Sequence, residues 1–462
     1  MKHLHYLFTI LFGVAVFLFF GLAYPHHLHY QEQYQLFLFD STYVFDIVKH
    51  PGGVADLLGR FCTQFFLYAW VGAAIIAVLL SLVQLLMTRL IDWGWLNGLC
   101  FIPSFLLWIF QLDENALMGG VWAVLLTLLA IWIVSVLPKN RMRIIAIITI
   151  IPILYWMVGP VWNGSHYYRY PAVTPYLLYA AWLSAVFLPL LIRIIANRVF
   201  APVGRWQKIF YFSLLVITFI VMGTFVRNNS NFKAEKVMQY DFMARFQQWN
   251  RILDTVDSEK PNNQIGVTVQ NLALAMRGML VNHMFDYNQN GVAGLLPDVT
   301  RDATSPLPTA EAFYQLGMIY AAQRTVFEAQ EAILDFQKSA RCYKRLAQTN
   351  LINGSYEVSR KYLMALQKTL FYRQWANETL TLLGDEEAIA KHPEYGRLRR
   401  MAYKNDSFFG DKVTPQMLED LYFSNTDNQL ALEYLSAFYF LTGDREGYAK
   451  LLLNIKGKVD SE

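Results

Sequence analysis

Charged side chains are scarce in the first half of this chain of 462 residues. Residues 1–226 hold 12 of the 39 Lys and Arg and 7 of the 35 Asp and Glu, and residues 227–462 hold all the others. The long apolar stretches of the first half have no charged residue in their interiors. Ion-coupled transporters and proton pumps usually carry ionisable groups at membrane depth, so this absence argues against that class. Neither half has the basic excess of a nucleic-acid-binding protein.

Cysteines and short catalytic motifs are rare as well. Cys62, Cys100 and Cys342 lie far apart, so they provide no disulfide framework and no CxxC metal pattern. No Walker motif, GxGxxG, HExxH or GxSxG occurs. The run that contains His26, His27 and His29 suggests a metal site, but metal ligands usually converge from several elements, and we expect an interfacial histidine cluster instead. The sequence therefore predicts no resident metal and no cofactor.

Long apolar stretches dominate residues 1–226 and predict a polytopic bundle of about seven transmembrane helices. A bilayer core about 30 Å thick needs roughly 20 apolar residues of helix. Suitable uncharged stretches occupy residues 4–24, 65–87, 95–112, 116–137, 144–162, 170–192 and 209–226. The third contains Pro103 and several polar residues, so it is the weakest of the seven. A long loop over residues 25–64 follows the first span, and its aromatic residues favour a segment along the membrane surface.

The distribution of Lys and Arg in the short loops predicts the orientation of these spans. Three basic residues lie on the side of the 25–64 loop, and nine lie on the side of the N-terminus. The nine are Lys2, Arg89, Lys139, Arg141, Arg143, Arg193, Arg198, Arg205 and Lys208, and the three are Lys49, Arg60 and Arg169. We therefore expect an inner (plasma) membrane protein whose N-terminus is cytoplasmic. With an odd number of spans, residues 227–462 would form an extracytoplasmic, periplasmic domain.

Residues 227–462 have the pattern of a soluble all-α domain with tetratricopeptide-like repeats. Similar segments surround Tyr314–Ala322, Tyr343–Tyr356 and Tyr434–Asp444, each with a small residue and a glycine near a helix end. Leu316 and Leu346 are 30 residues apart, and Leu435 follows after 89 more, close to three such steps. Helix pairs of this kind stack into a surface that binds proteins or peptides. An irregular helical bundle is the alternative for this half.

The membrane half resembles, in architecture only, the C-type glycosyltransferases that use polyprenyl-phosphate sugars. The resemblance rests on a seven-span module whose longest loop follows the first span. It implies a catalytic carboxylate in that loop, for which Glu32 and Asp40 are the candidates. Arg169, with Tyr168 and His166 beside it, would bind the phosphate of the substrate. A divalent metal is compatible with this alternative only. A solvated loop with interfacial anchors also explains these residues.

The whole chain also resembles an uncharacterised family of multispanning membrane proteins from Bacteroidetes-type bacteria. Three features carry this resemblance: His29-Tyr-Gln-Glu-Gln33 with Gln35-Leu-Phe37, Pro51-Gly52-Gly53, and the helical C-terminal half. It implies a layout rather than an activity. The leading hypothesis is an envelope protein that lies in the lipid bilayer and binds a protein or peptide partner through residues 227–462. The lipid-linked sugar transferase is the alternative, and a transporter component is third.

Overall fold

The computed structural model describes residues 2–91, 94–159, 166–170, 172–196, 204–297, 306–333, 337–403 and 415–459. Within these ranges the protein is all-α, and the extended backbone is limited to isolated bridges such as the one between Ala116 and Tyr168. The chain divides into two compact units, residues 1–235 and 236–462. The predicted division at residue 226 lies inside the last long apolar helix, which continues to Asn229.

Among the residues described for the first unit there are ten α-helices, and an eleventh crosses into the second unit. Their bounds are α1 (Lys2–Leu18), α2 (Pro25–Glu32), α3 (Ser41–Val48), α4 (Gly53–Thr63), α5 (Ala69–Ile91), α6 (Ile102–Phe110), α7 (Met118–Val136), α8 (Asn140–Val158), α9 (Tyr176–Ala196), α10 (Arg205–Asn229) and α11 (Phe232–Arg245). A π-helical turn, Phe19–Ala23, extends α1. Among the described residues, six apolar helices are long enough to cross a membrane: α1 with this turn, α5, α7, α8, α9 and α10.

The third predicted span is a shorter element of 3₁₀-helix followed by α-helix. Gly94–Phe101 forms eight residues of 3₁₀-helix, and α6 adds nine residues with Pro103 in its first turn. A 3₁₀-helix rises about 2.0 Å per residue and an α-helix about 1.5 Å, so the whole element is about 30 Å long. That length matches the hydrocarbon core of a bilayer, although the element has too few residues for an ordinary α-helical span.

Contacts between residues at the two ends of this bundle show how the chain passes through it. At one end, here called the N-terminal end, His5 bonds to Thr88 and Tyr211, and Gly94 lies against Gln207. At the opposite end, the α2 end, His27 bonds to Gln111, and the backbone N–H of Asn231 donates to the Tyr24 hydroxyl. Both the 94–110 element and α10 therefore run from one end to the other. The chain enters at the N-terminal end and leaves at the α2 end.

The predicted 25–64 loop, which joins the first two long apolar helices, is largely helical. It contains α2, α3 and α4, and α4 packs against the beginning of α7 through two glycines. A Cβ atom at Gly59 would lie 2.3 Å from the backbone nitrogen of Gly119. This approach of the two backbones needs glycine at position 59, and a Cβ atom at Gly119 would lie 2.9 Å from the Tyr167 ring. Tyr34 and Phe37 of this segment are buried in the unit, whereas Phe39 and Phe45 are 45 % and 68 % exposed.

The second unit contains helices joined largely by short turns. Their bounds are α12 (Trp249–Glu259), α13 (Gln264–Met276), α14 (Leu280–His283), α15 (Pro306–Leu316), α16 (Ile319–Glu331), α17 (Ala340–Ile352), α18 (Tyr356–Gln367), α19 (Arg373–Leu380), α20 (Glu386–Lys391), α21 (Tyr395–Met401), α22 (Pro415–Ser424), α23 (Gln429–Thr442) and α24 (Arg445–Val459). Each helix from α15 to α19 packs against the next one.

Three helix pairs of this unit share a glycine turn, at the glycines that the sequence pattern singled out. Gly317 joins α15 to α16, Gly354 joins α17 to α18, and Gly443 joins α23 to α24, with φ of +86°, +78° and +70°. Glycine is favoured there because a left-handed residue at a helix end penalises a Cβ atom. The predicted equivalence of Leu316 with Leu346 is wrong: Leu316 ends α15, whereas Leu346 lies in the middle of α17.

Candidate functional site

Helix α2 is polar in sequence but buried in the structure, and it forms the centre of the candidate site in the first unit. Pro25 begins the helix, where its missing N–H costs nothing. Six of the eight residues are buried, namely His26, His27, Leu28, His29, Gln31 and Glu32. Burying polar side chains is unfavourable unless they are hydrogen-bonded, so their partners determine how α2 is held. The three histidines, predicted to form an interfacial cluster, are thus buried within the protein.

Glu235, near the start of α11, caps the N-terminus of α2. Its Oε1 accepts from the backbone N–H of His26 at 2.7 Å, and its Oε2 accepts from that of His27 at 2.8 Å. Only 7 % of the residue is exposed, and burial raises the pKa of its carboxyl group to about 7 against the lowering effect of these two hydrogen bonds. The carboxylate satisfies two of the orphan N–H groups of the helix and interacts favourably with its dipole.

The other contacts of α2 fix it to residues 111–116. The carbonyl oxygen of Gln111 can only accept, so Nε2 of His27 donates to it, at 2.9 Å. Burial lowers the pKa of His27 to about 4, which keeps the ring neutral at pH 7. The Gln31 amide donates to the carbonyls of Asp113 and Ala116 at 3.3 and 3.1 Å. Neutral side chains thus hold α2 in place by direct hydrogen bonds to the backbone.

Arg169 is a buried cation on this side of the bundle. It is 7 % exposed, and its guanidinium carbon lies 3.8 Å from the centre of the Tyr34 ring. Nη1 donates to the Tyr30 hydroxyl at 3.3 Å, whereas Nε has no hydrogen-bond partner among the described residues. Within the same residues no carboxylate lies within 4 Å of the guanidinium to form an ion pair. Burying a cation without a counter-charge is costly, so an anion would stabilise this arrangement.

The structure brings some of the sequence-predicted site residues together and assigns others to the scaffold. Tyr168 donates its hydroxyl to Asp113 at 2.7 Å, and its neighbour Arg169 lies against α2. His166 is exposed and lies beside Gly52. Glu32 is buried at the C-terminal end of α2, on the same helix as Tyr30. Tyr168, Arg169 and Glu32 thus lie on or near α2, whereas His166 lies beside Gly52 and Asp40 lies at the start of α3.

Asp40 caps helix α3. Its side chain accepts from the backbone N–H groups of Thr42 and Tyr43 at 3.0 and 3.2 Å. This is the ordinary role of an aspartate that precedes a helix. The capping function explains the residue without any catalytic role.

Sequence reasoning missed Glu235 and Asp113, which hold the α2 end together. Glu235 lies beyond the last predicted span, among many other charged residues of the second half, and nothing in its local sequence links it to residue 26. The sequence did contain one signal for such an acceptor. Pro25 follows directly on the first predicted span and is typical of a helix start, and the first backbone N–H groups of a helix need acceptors.

A second cluster of charged residues lies within the second unit, on helices α15, α17 and α21. Arg345 forms a buried ion pair with Glu311, and its guanidinium carbon lies 3.6 Å from the centre of the Tyr314 ring. The Tyr314 hydroxyl donates to Glu394 at 2.9 Å, and Nη2 of Arg397 donates to Gln315 at 2.9 Å. These contacts link the first helices of two successive pairs to α21 through side chains.

Lys344 is a member of this cluster that forms no close ion pair with a described carboxylate, although Glu394 and Glu311 interact with it at longer range. Its Nζ lies 4.9 Å from the centre of the Trp375 ring, and no described carboxylate lies within ion-pair distance. The side chain is half-buried. Burial, then Arg345 and Arg245, lower the pKa of the amine to about 8. A cation in contact with an aromatic ring, with a solvent-facing part, can bind a carboxylate.

Comparison with known families matches nearly the whole chain to one family model. The model is described as a family of unknown function (DUF6057), and it matches residues 1–164 and 161–460. The chain belongs to this family. No curated protein and no solved structure matches it. Membership agrees with the predicted resemblance to an uncharacterised family. In the part of the chain that the structure describes, no group of three or more His, Cys, Asp or Glu is arranged to hold a metal ion.

Proposed function

We propose that this protein lies in the inner membrane of the cell envelope and binds a protein or peptide partner through its second unit, on the extracytoplasmic side. The observation that carries the proposal is the ordered packing of α15 to α19 into helix pairs with glycine turns. Such pairs present an extended surface made by their successive first helices. We infer from this packing that the second unit is tetratricopeptide-like.

The proposed orientation rests on charge together with the course of the chain. The N-terminal end of the bundle carries Lys2, Arg89, Lys139, Arg141, Arg143, Arg205 and Lys208. Cytoplasmic loops are enriched in Lys and Arg, so this end would face the cytoplasm. Because the 94–110 element runs the length of the bundle, the chain makes seven passes and leaves at the α2 end. The second unit then begins on the periplasmic side.

The partner would carry a carboxylate that pairs with Lys344. A photo-reactive benzoylphenylalanine in place of Trp375, which contacts Lys344, should crosslink the partner in living cells. We expect the Lys344→Gln substitution to reduce this adduct about tenfold, the effect of losing a charge-assisted hydrogen bond of about 1.4 kcal/mol. Because the pKa of Lys344 is about 8, the adduct should also decline as the pH of the medium rises above 8.

The matched control places the same photo-reactive group at Leu453, an exposed apolar position of α24 that is 69 % exposed. An adduct of one mass at position 375 and none at 453 would support the proposal. Identical adducts at both positions, or an adduct that Lys344→Gln leaves unchanged, would show that the cluster around Lys344 does not select the partner.

A transferase that uses a lipid-linked sugar is the second candidate, and the burial of Arg169 favours it. The guanidinium lacks a carboxylate among the described residues, and the phosphate of such a donor would supply the missing anion. Glu32 and Asp40 remain the predicted carboxylates of this candidate, and Asp40 also caps α3. Full complementation of a deletion strain by the Arg169→Ala variant would eliminate this candidate.

A further inference from the structure

A cavity of about 530 Å³ lies at the N-terminal end of the bundle, opposite the end that carries the α2 site. Its walls come from the ends of α1, α5, α7 and α10 and from the beginning of the 94–110 element. Its lining includes the polar residues His5, Thr88, Arg89, Ser135 and Tyr211. A volume of this size is typical of a small-molecule or headgroup site with a few convergent polar groups.

The hydrogen bonds around His5 determine which of its nitrogens carries the proton. His5 is 4 % exposed, and its Nε2 lies 2.8 Å from Nε2 of Gln84, whose Oε1 accepts from the Thr9 hydroxyl at 2.9 Å. The Thr88 hydroxyl, which can donate, lies 2.7 Å from the same Nε2. An amide nitrogen can only donate, so with the Gln84 amide in this orientation Nε2 of His5 accepts. In the neutral ring the proton is then on Nδ1, which lies 2.7 Å from the Tyr211 hydroxyl oxygen.

This assignment makes Tyr211 a hydrogen-bond donor with an unused hydrogen. The Tyr211 oxygen accepts the proton of His5 Nδ1, so the phenolic hydrogen is directed to a different acceptor. Tyr211 lines the cavity, and Arg89 lines it as well. A hydroxyl donor and a guanidinium within one cavity are complementary to an oxyanion, and a phosphate offers several acceptor oxygens to both.

The apolar part of the cavity indicates where such an anion comes from. Tyr6 and Val136 also line it, and they are 46 % and 61 % exposed on spans whose outer surfaces face lipid. Trp132 adds an aromatic surface, of the kind that is enriched at the level of lipid headgroups. The cavity thus has a wall that continues onto the lipid-facing surface of α1 and α7.

We propose that this cavity binds a phosphate group through Tyr211 and Arg89, and that a phospholipid of the adjacent leaflet supplies it. The lipid headgroup occupies the polar cavity, while its acyl chains lie along the exposed apolar surface of α1 and α7. Neither the α2 site nor partner binding by the second unit is required for this role.

Native mass spectrometry of the full-length protein in dodecyl maltoside tests the proposal. With phosphatidylglycerol, we expect one lipid per chain to remain bound, whereas diacylglycerol, which lacks the phosphate, should bind at least tenfold more weakly. Tyr211→Phe removes the hydroxyl and keeps the ring, and Arg89→Gln removes the charge at an exposed position. Each should weaken phosphatidylglycerol binding about tenfold, as expected for a hydrogen bond to a charged group.

The controls distinguish this site from general lipid attraction. Tyr155→Phe on α8, whose Tyr is 48 % exposed, and Arg143→Gln should leave binding unchanged. Equal binding of diacylglycerol, or wild-type binding by both Tyr211→Phe and Arg89→Gln, would overturn the proposal. If inorganic phosphate saturates the site at the concentration that phosphatidylglycerol needs, the phosphate site stands and the phospholipid source is overturned. If inorganic phosphate displaces the lipid only at millimolar concentrations, both the phosphate site and its phospholipid source are supported.

Discussion

The Arg345→Met substitution is expected to lower the free energy of unfolding of the second unit by about 3–5 kcal/mol, the usual cost of leaving one partner of a buried ion pair uncompensated. The side chains of Arg345 and Glu311 are only 14 % and 4 % exposed. Methionine preserves much of the packing against Tyr314 but leaves the Glu311 carboxylate without its cation. The same substitution also removes the stacking of a cation on an aromatic ring.

Cys342, buried in α17, reports on the unfolding of this unit. In a Cys62→Ala, Cys100→Ala background, the rate at which a thiol reagent labels Cys342 during a temperature or denaturant series measures the opening of the second unit alone. Adding Glu311→Leu to Arg345→Met should restore most of the loss, because an apolar pair can replace a buried ion pair. Arg360→Met is the matched control, since Arg360 and its partner Glu357 are 44 % and 83 % exposed. If Arg345→Met lowers the free energy of unfolding by less than about 1 kcal/mol, the Glu311 carboxylate is stabilised by groups other than Arg345.

Glu235→Gln is expected to make the stability of the first unit less sensitive to pH. Burial raises the pKa of Glu235 to about 7, so the folded state holds a proton that the unfolded chain releases near pH 4.5. The contribution of Glu235 to the free energy of unfolding is about 3 kcal/mol. It is fully present below pH 4.5 and is lost as the pH rises through 7. Glutamine keeps one acceptor oxygen for the N-terminus of α2 and never ionises. The free energy of unfolding of the variant minus that of the wild type should therefore become more positive between pH 5 and pH 8.

The comparison between variants is necessary because His27 titrates in the opposite direction. Its pKa is lowered to about 4, so its contribution to stability grows as the pH rises from 4 to 6.5 and offsets part of the effect of Glu235. Both proteins contain His27, so the difference isolates Glu235. Labelling of the buried Cys62 and Cys100 in a Cys342→Ser background measures the first unit. Asp46→Asn, at a residue whose side chain is 65 % exposed, should give a difference that does not change with pH. A constant difference for Glu235→Gln as well would contradict the buried, partly protonated cap.

The transmembrane helices could be predicted from the sequence because an uncharged run of 18 or more residues is hard to explain in any other way. The all-α class and six long apolar helices agree with that expectation. The third predicted span corresponds to a shorter apolar element whose form was not predicted, since its length depends on a 3₁₀ segment at Gly94–Phe101. No simple sequence pattern distinguishes eight residues of 3₁₀-helix from the beginning of an α-helix.

The candidate site was less predictable, because its contacts join positions far apart in the chain. His26, His27 and His29 are polar, and local reasoning assigns polar residues to solvent. Their burial depends on acceptors at residues 111 and 235, which a single sequence does not link to α2. The glycine turns of the second unit were recognisable in the sequence, whereas the alignment of Leu316 with Leu346 failed because similar apolar residues occur at several positions of each helix.

The orientation of the chain is the central claim, because partner binding outside the cytoplasm depends on the seven passes. Alkaline phosphatase is active only outside the cytoplasm, and green fluorescent protein exported unfolded does not fluoresce. We expect phosphatase fused after Glu462 or inserted after Glu114 to be active, and phosphatase inserted after Pro138, between α7 and α8, to be inactive. Fluorescence of green fluorescent protein fused after Glu462, with no phosphatase activity at that position, would contradict the account.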